Sequence, residues 1–397
     1  MLKVLLIDRY FYPDLQATSV LLTDLAEGLA EDFDIEILCG PPSEFRDLDN
    51  TKKFSKVTTL PTFQLSKKSR MGRALNYISF LILAPLAVLF HAKTDVVVVQ
   101  TTPPLLPFAA SIACWLRRFS YVYVANDVFP ETAIVSRQLK KGVFTTFLRR
   151  LNQCALKNAK CVIAIGRDMK EIFVEQEIPA EKIEAIPNWV KTTEIKPLPK
   201  NQAFLKAKGL MDFFVVMHAG NFGYLQDFNL LLEVAQLLIA EKKVKFVFVG
   251  DGATKENVVQ KSKHIKLSNV LFLSFEPRRA LSEVLASADI HVVSLKHGLA
   301  GYSVPSKTYS FLASGRPIIG LLEEKSESAR LIREANCGVV MENARAQEVA
   351  DQIKRLMAQP NQLLEWGKSA RAYIEKKDPR EFAFNKYREV FLKAARK

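Results

Sequence analysis

Cysteine is scarce in this chain: five in 397 residues, at Cys39, Cys114, Cys154, Cys161 and Cys337. The number is odd, the spacing is wide, and there is no CxxC pair or neighbouring histidine cluster. This excludes a disulfide scaffold and a zinc knuckle and predicts reduced, mostly buried thiols. Several catalytic signatures are missing as well. Without a P-loop, a G-x-S-x-G elbow or an H-E-x-x-H helix, three large classes of phosphate, ester and peptide chemistry drop out. Val249-Gly-Asp-Gly-Ala-Thr-Lys255 keeps only the first two glycines of the dinucleotide fingerprint, so a nicotinamide- or flavin-dependent reading is set aside. The apolar run Ala74–Phe90 has 17 residues and contains Pro85, short of the roughly 20 needed to span a bilayer. Met1–Asp8 is too short an apolar segment for an export signal and reads as a first β-strand, which predicts a cytoplasmic protein.

Acidic residues are also rare in one region. Residues 1–50 hold three Lys/Arg against eleven Asp/Glu, whereas residues 51–150 hold fifteen Lys/Arg against three Asp/Glu. The net charge of +14 is therefore concentrated. Lys52, Lys53, Lys56, Lys67, Lys68, Arg70 and Arg73 lead directly into the Ala74–Phe90 run. Basic residues followed by a long apolar helix suit the anionic surface of a bilayer, as a peripheral, dipping helix at the inner membrane face. A buried crossover helix of an α/β domain is the alternative. Nucleic acid is not expected, because no stacking aromatics are interleaved with the basic residues.

Strand-like and helical patterns alternate almost from end to end. Val4–Ile7, Ile35–Leu38, Val57–Leu60, Val96–Gln100, Tyr121–Ala125 and Cys161–Ile165 read as strands, with helical periodicity between them, for example in Ser19–Ala30 and Phe144–Asn158. The alternation stops at Ile186-Pro-Asn-Trp-Val190 and resumes with Phe213–His218, Phe246–Val249, Val270–Leu273, Ile290–Ser294, Pro317–Leu321 and Gly338–Met341. The expected fold class is α/β, two Rossmann-like parallel-sheet domains facing across a cleft. The expected division is 1–190, a linker at 191–208, 209–378, and a C-terminal helix at 379–397. Phe382, Phe384, Tyr387 and Phe391 share one face of that helix in this reading, which could pack back on the first domain or stay on the second.

The segment Gly301–Gly320 draws most attention. Gly301, Tyr302, Ser303, Pro305, Ser306 and Lys307 precede an apolar helical turn. Glycine permits close approach, proline pre-sets φ, and first-turn N–H groups beside a lysine can cradle an anion such as a diphosphate. An ordinary loop–helix connection remains the other reading. Gly220 and Asn221, Gly250 and Gly252, and Phe275 to Arg278 stand at further strand ends, where one ligand could meet several backbone segments. In the first domain Tyr10–Ser19 follows the first strand; Gln16, Ala17, Thr18 and Ser19 could face a phosphate, with Thr18 or Ser19 as helix N-cap. Asn126-Asp-Val-Phe-Pro-Glu131 brings two carboxylates to a strand end, where Asp127 could act as general base; capping by Asp127 and solvation of Glu131 is the alternative. Asp32-Phe-Asp34 and Asp47-Leu-Asp49 read as solvated charge, so no metal site is expected.

Taken in order, these segments resemble the family 4 glycosyltransferases of the GT-B fold, especially the bacterial surface-polysaccharide branch. The resemblance rests on the Tyr10–Ser19 loop, Asp127-Val-Phe-Pro-Glu131, Ala164-Ile-Gly166, Ile186-Pro-Asn188, Ala219-Gly-Asn221, Val249-Gly-Asp-Gly252, Ala286-Ser-Ala-Asp289, and Val304-Pro-Ser-Lys307 through Pro317. It implies retaining transfer of a hexosyl or N-acetylhexosaminyl group from a nucleotide diphosphate, usually uridine-linked, without metal or other cofactor. It also implies a lipid-linked or saccharide acceptor. The chain departs from the family's pattern in three places. The two usual glutamates are Tyr302 and Ser310, no basic residue occurs from Tyr224 to Phe228, and the histidine before the aspartate is Asn126. The resemblance then leaves Lys307 to neutralise the diphosphate and Ser310 to meet a ribose hydroxyl. The departures also keep open a catalytically silent donor- or partner-binding subunit, or a hydrolysing nucleotide-sugar epimerase of the same fold.

Overall fold

The computed structural model describes residues 1–42, 56–65, 70–200 and 202–396. Asp47-Leu-Asp49, Lys52, Lys53, Lys67 and Lys68 lie outside the described residues. The chain forms two compact units, one of Met1–Asn188, Gly301–Val304 and Arg380–Lys397, the other of Trp189–Ala300 and Pro305–Pro379. Instead of the simple split at 190, the short segment 301–304 belongs with the first unit.

In the first unit seven strands of the described residues form one parallel sheet: β1 (Lys3–Ile7), β2 (Asp34–Cys39), β3 (Val57–Thr59), β4 (Val96–Gln100), β5 (Ser120–Ala125), β6 (Cys161–Ala164) and β7 (Ile183–Ala185), in the order β3-β2-β1-β4-β5-β6-β7. β4 and the inner residues of β1, β5 and β6 are almost wholly buried. Runs such as Val-Val-Val-Val take this place because crossover helices cover both faces of a parallel sheet. The helix Arg70–Phe90 packs Phe80, Ala84 and Val88 into this core with no exposure beyond 0%. The closing helix Pro379–Ala395 belongs to the same unit: the Phe384 ring lies on Gly28, Phe391 packs edge-on to Phe33, and Arg380 bonds Asp24 at 2.8 and 3.0 Å. Phe382 does not share the buried face, being 44% exposed. It is two residues from Phe384, or about 200° around a helix.

The second unit has six parallel strands: β8 (Phe214–Ala219), β9 (Val244–Val249), β10 (Val270–Leu273), β11 (Ile290–Ser294), β12 (Ile318–Leu321) and β13 (Gly338–Val340), in the order β10-β9-β8-β11-β12-β13. Each sheet reverses its strand order once, between β1 and β4 and between β8 and β11, and such reversals open a crevice at the strands' carboxyl ends. The segment read as a linker contains a short helix, Gln202–Ala207. Four cysteines are buried and Cys154 is exposed; burial pushes the Cys39 and Cys161 thiols up to about 11 and those of Cys114 and Cys337 up to about 12.

Candidate active site

The second unit gathers its candidate ligand-facing residues where β8 ends. Gly220 takes φ 136° and Gly250, one strand over, φ 135°, values that side-chain-bearing residues avoid. A Cβ on Gly250 would collide with the Gly220 carbonyl, and one on Gly220 would come within 3.1 Å of Lys307 Cε. The two turns can therefore stack, with the Lys307 chain lying over them. Gly252 is similarly pressed against Asn221 and Phe222.

Lys307 opens the helix Lys307–Ala313 and donates to His218 Nε2 at 3.0 Å. Burial pushes the ammonium down to about 7. The His218 imidazole is held well below its usual range, first by burial and then by the Lys307 charge, so it is a neutral acceptor. Aromatic rings of Phe222, Phe228 and Phe248 surround it. The result is a cation aimed at a glycine-bare strand end, with no carboxylate paired to it among the described residues. A half-buried ammonium whose charged form burial disfavours is stabilised by an arriving anion.

The rest of the expected cradle is arranged differently. Gly301 donates its N–H to Asp168 Oδ2 at 3.0 Å, the Tyr302 carbonyl accepts the Val128 N–H at 2.8 Å, and Ser303 bridges to Asp127. These backbone groups build the first unit. The N–H groups of Thr308 and Tyr309 are used by the Pro305 and Ser306 carbonyls, so the helix turn itself offers less than its sequence implied, and Lys307 carries the charge. Just upstream, Glu323 Oε2 accepts three successive N–H bonds from Gly298, Leu299 and Ala300 at 2.8, 3.0 and 3.0 Å. His297, Glu323 and Glu342 bring ligand atoms within 4.8 Å of one another, but the Glu323 carboxylate is already the anchor of that loop. Ser310 lies in the second turn, half-buried, its carbonyl taken by Ser314. Arg278 is bound to Glu194 at 2.8 and 2.9 Å, beside Phe275, and so faces a carboxylate within its own unit.

In the first unit the two carboxylates of Asp127-Val-Phe-Pro-Glu131 have separate fates. Asp127 follows β5, where Thr101 Oγ1 accepts the Asn126 N–H at 3.0 Å and Asn126 donates to Gln100 at 2.7 Å. Burial pushes the Asp127 carboxyl up to about 6, against the pull of a hydrogen bond from Ser303. Glu131 starts a short helix and is paired with Arg149 at 2.6 Å. That ion pair occupies one of its carboxylate oxygens.

At the β1 end, Ala17 is the first residue of the helix Ala17–Gly28 and Gln16 is its N-cap, without a side-chain cap bond. Neither Thr18 nor Ser19 caps it. Ser19 is fully buried in the first turn. Of the paired aspartates, Asp32 is bonded to Arg388 at 2.6 Å and Asp34 is paired with Lys56.

Sequence reasoning passed over His218, Glu323 and Asp168. His218 ends the expected strand Phe213–His218, but only tertiary structure puts Lys307 against it, 89 residues away. Glu323 and Asp168 lack local signals, since both serve backbone groups distant in sequence.

Comparison with known proteins follows the same division. Residues 18–189 match the glycosyl transferase 4-like domain, and residues 214–359 match glycosyl transferases group 1. Over 285 residues the chain is 30% identical to the "Probable glycosyltransferase WbjE" of Pseudomonas aeruginosa, with 70% of each chain covered. Among solved structures it is similar to Anabaena HepE in complex with UDP-glucose, with a TM-score of 0.75, 15% identity, and 98% of this chain and 99% of that one covered. WaaG, a glycosyltransferase involved in lipopolysaccharide biosynthesis, gives a TM-score of 0.70 at 16% identity over 96% and 98% of the two chains. At such identities the structural likeness speaks to the fold.

Proposed function

This chain belongs to the group 1, family 4 glycosyltransferases, and we propose that it transfers a hexosyl or N-acetylhexosaminyl group, with retention, from a uridine diphosphate sugar to a lipid-linked or saccharide acceptor. The observation that carries the donor reading is Lys307, a desolvated ammonium beside Gly220 with a neutral imidazole as its partner. When the anomeric C–O bond breaks, charge develops on the departing diphosphate, and a preorganised cation there stabilises it. Lys307 supplies positive charge of the kind a divalent ion supplies in other transferases, so turnover is expected to persist in chelator. The bond to the acceptor oxygen forms on the same face of the sugar, and the acceptor's proton passes to Asp127. Gly220, Asn221, Gly250 and Gly252 line the donor's path, Ser306 at the helix N-cap joins Lys307 on the diphosphate, and Ser310 meets the ribose.

HepE was solved with UDP-glucose, which favours a uridine donor, and WaaG acts in lipopolysaccharide biosynthesis, which favours a surface-polysaccharide product. The test is a panel of uridine- and guanosine-diphosphate sugars, assayed for transfer and for hydrolysis, with the anomeric configuration of the product read by NMR. Turnover of a uridine donor with retention is expected. Donor binding without any turnover would overturn the reading in favour of a silent subunit.

A further inference from the structure

The helix Arg70–Phe90 carries two apolar stripes. Phe80, Ala84 and Val88 are buried in the first unit's core. On the opposite side Met71, Leu75, Ile78, Ile82, Leu86 and Phe90 are 72%, 38%, 49%, 56%, 43% and 86% exposed. Their spacing of three and four residues keeps them in one line. A surface helix normally turns polar residues outward, and one that is apolar all round requires a second apolar environment.

The stripe does not stand alone. This helix packs against Leu106–Arg117, which in turn packs against Val143–Asn158. Those helices expose Trp115 at 76%, Leu116 at 57%, Val143 at 89%, Phe144 at 62% and Phe147 at 54%. Each exposed apolar end is bordered by exposed basic residues: Lys93 after Phe90, Arg117 and Arg118 after Trp115, and Lys140 and Lys141 before Val143. Carboxylates are scarce and engaged. From residue 56 to 150 only Asp95, Asp127 and Glu131 occur: Asp95 accepts the Lys3 N–H at 2.9 Å, Asp127 is desolvated, and Glu131 is paired with Arg149. Glu36, from β2, is paired with His91 at 3.2 Å.

We propose that these three helices form one bilayer-docking face, which lays its apolar residues into the headgroup boundary of an anionic membrane while the flanking Lys and Arg meet lipid phosphates. The charge pattern selects this occupant. An apolar protein partner needs no cationic rim, whereas an anionic lipid surface rewards each Lys or Arg near it and accepts apolar side chains and an interfacial tryptophan. Because Phe80, Ala84 and Val88 remain in the core, the helix lies on the surface, and no helix among the described residues is long and apolar enough to cross a membrane. The proposal deepens the inner-face reading given above by moving the contact from one basic segment to a three-helix surface.

Flotation of the full chain with vesicles of phosphatidylcholine alone, or containing 30% phosphatidylglycerol, tests it, together with the emission of Trp115. The expected result is binding to the anionic vesicles, weakened by salt, with a blue shift that is lost in Trp115→Phe. The double variants Ile82→Asp/Leu86→Asp and Phe144→Asp/Phe147→Asp should each lower the bound fraction at least tenfold. UDP titration of the same variants, by calorimetry, should stay at the wild-type value and shows that they are folded. Vesicle binding unchanged in both double variants overturns the proposal. So does a wild-type dimer that these variants dissociate without any effect on vesicles, which would make the face a contact between copies. A wild-type chain that binds vesicles but not UDP would instead sink the donor reading and leave the docking face standing.

Discussion

The carboxyl edges of the two sheets each present a titratable group that burial moves toward neutrality, from opposite sides. Beyond β5 the Asp127 carboxyl is raised to about 6; beyond β8 the Lys307 ammonium is lowered to about 7. The physical cause is the same, removal of water from the charged form, and only the sign of the charge differs. Their partners differ as well. Asp127 has Ser303, a donor that favours the carboxylate, whereas Lys307 has an uncharged imidazole that accepts a bond without neutralising it. One edge is suited to take a proton near pH 6. The other is suited to receive an anion and become fully charged as it does so.

The contrast is broken most severely at the lysine. Lys307→Ala should lower the transfer rate by about 10²–10³-fold, the usual cost of losing one preorganised group on a developing anion, and weaken UDP binding by calorimetry. Equal activity would remove the lysine from the mechanism. Next comes Asp127→Asn, expected to cost about 10²-fold in rate, as for a general base, while the Kd for UDP stays unchanged. A loss of UDP binding instead would assign Asp127 to the donor.

The pH dependence sharpens the comparison. Lys307 in the empty site is protonated below about 7, and a bound diphosphate raises its affinity for the proton. Donor affinity should therefore be flat at lower pH and fall above pH 7 by up to about tenfold per unit. The rate at saturating donor should rise with pH through about 6 as the Asp127 carboxylate forms. Lys307→Arg, which stays charged, should abolish only the alkaline limb of binding, measured by titration across pH 5.5–9. Smallest of all is Glu131→Gln. A pair with a half-exposed Arg149 is worth about 1 kcal/mol or less, so the melting temperature should drop slightly and the rate change less than about threefold.

Much of this was legible in the chain itself. Val96–Gln100, Val270–Leu273 and Ile290–Ser294 read as the strands they are, because a β-branched run between turn residues has few other uses. The edge strand Ile183–Ala185 is absent from the pattern; its three residues, Ile-Glu-Ala, include one β-branched side chain and a charge. The residues around Lys307 marked it in the sequence as a candidate ligand for an anion. Its environment was not legible, since it depends on His218 from another strand and on the glycine stack beneath it.

The carboxylate pair Asp127 and Glu131 shows the same limit, being equivalent in sequence until Arg149, a helix away, claims one of them. By itself the sequence determined two parallel α/β sheets, a glycine-rich strand end with one lysine, and a basic, acid-poor stretch with a long apolar helix, because local propensity and periodicity encode these. Only tertiary structure decided which groups lose their water and which side of an all-apolar helix stays outside. Desolvation and exposure are properties of what packs around a residue, and that packing comes from segments far along the chain.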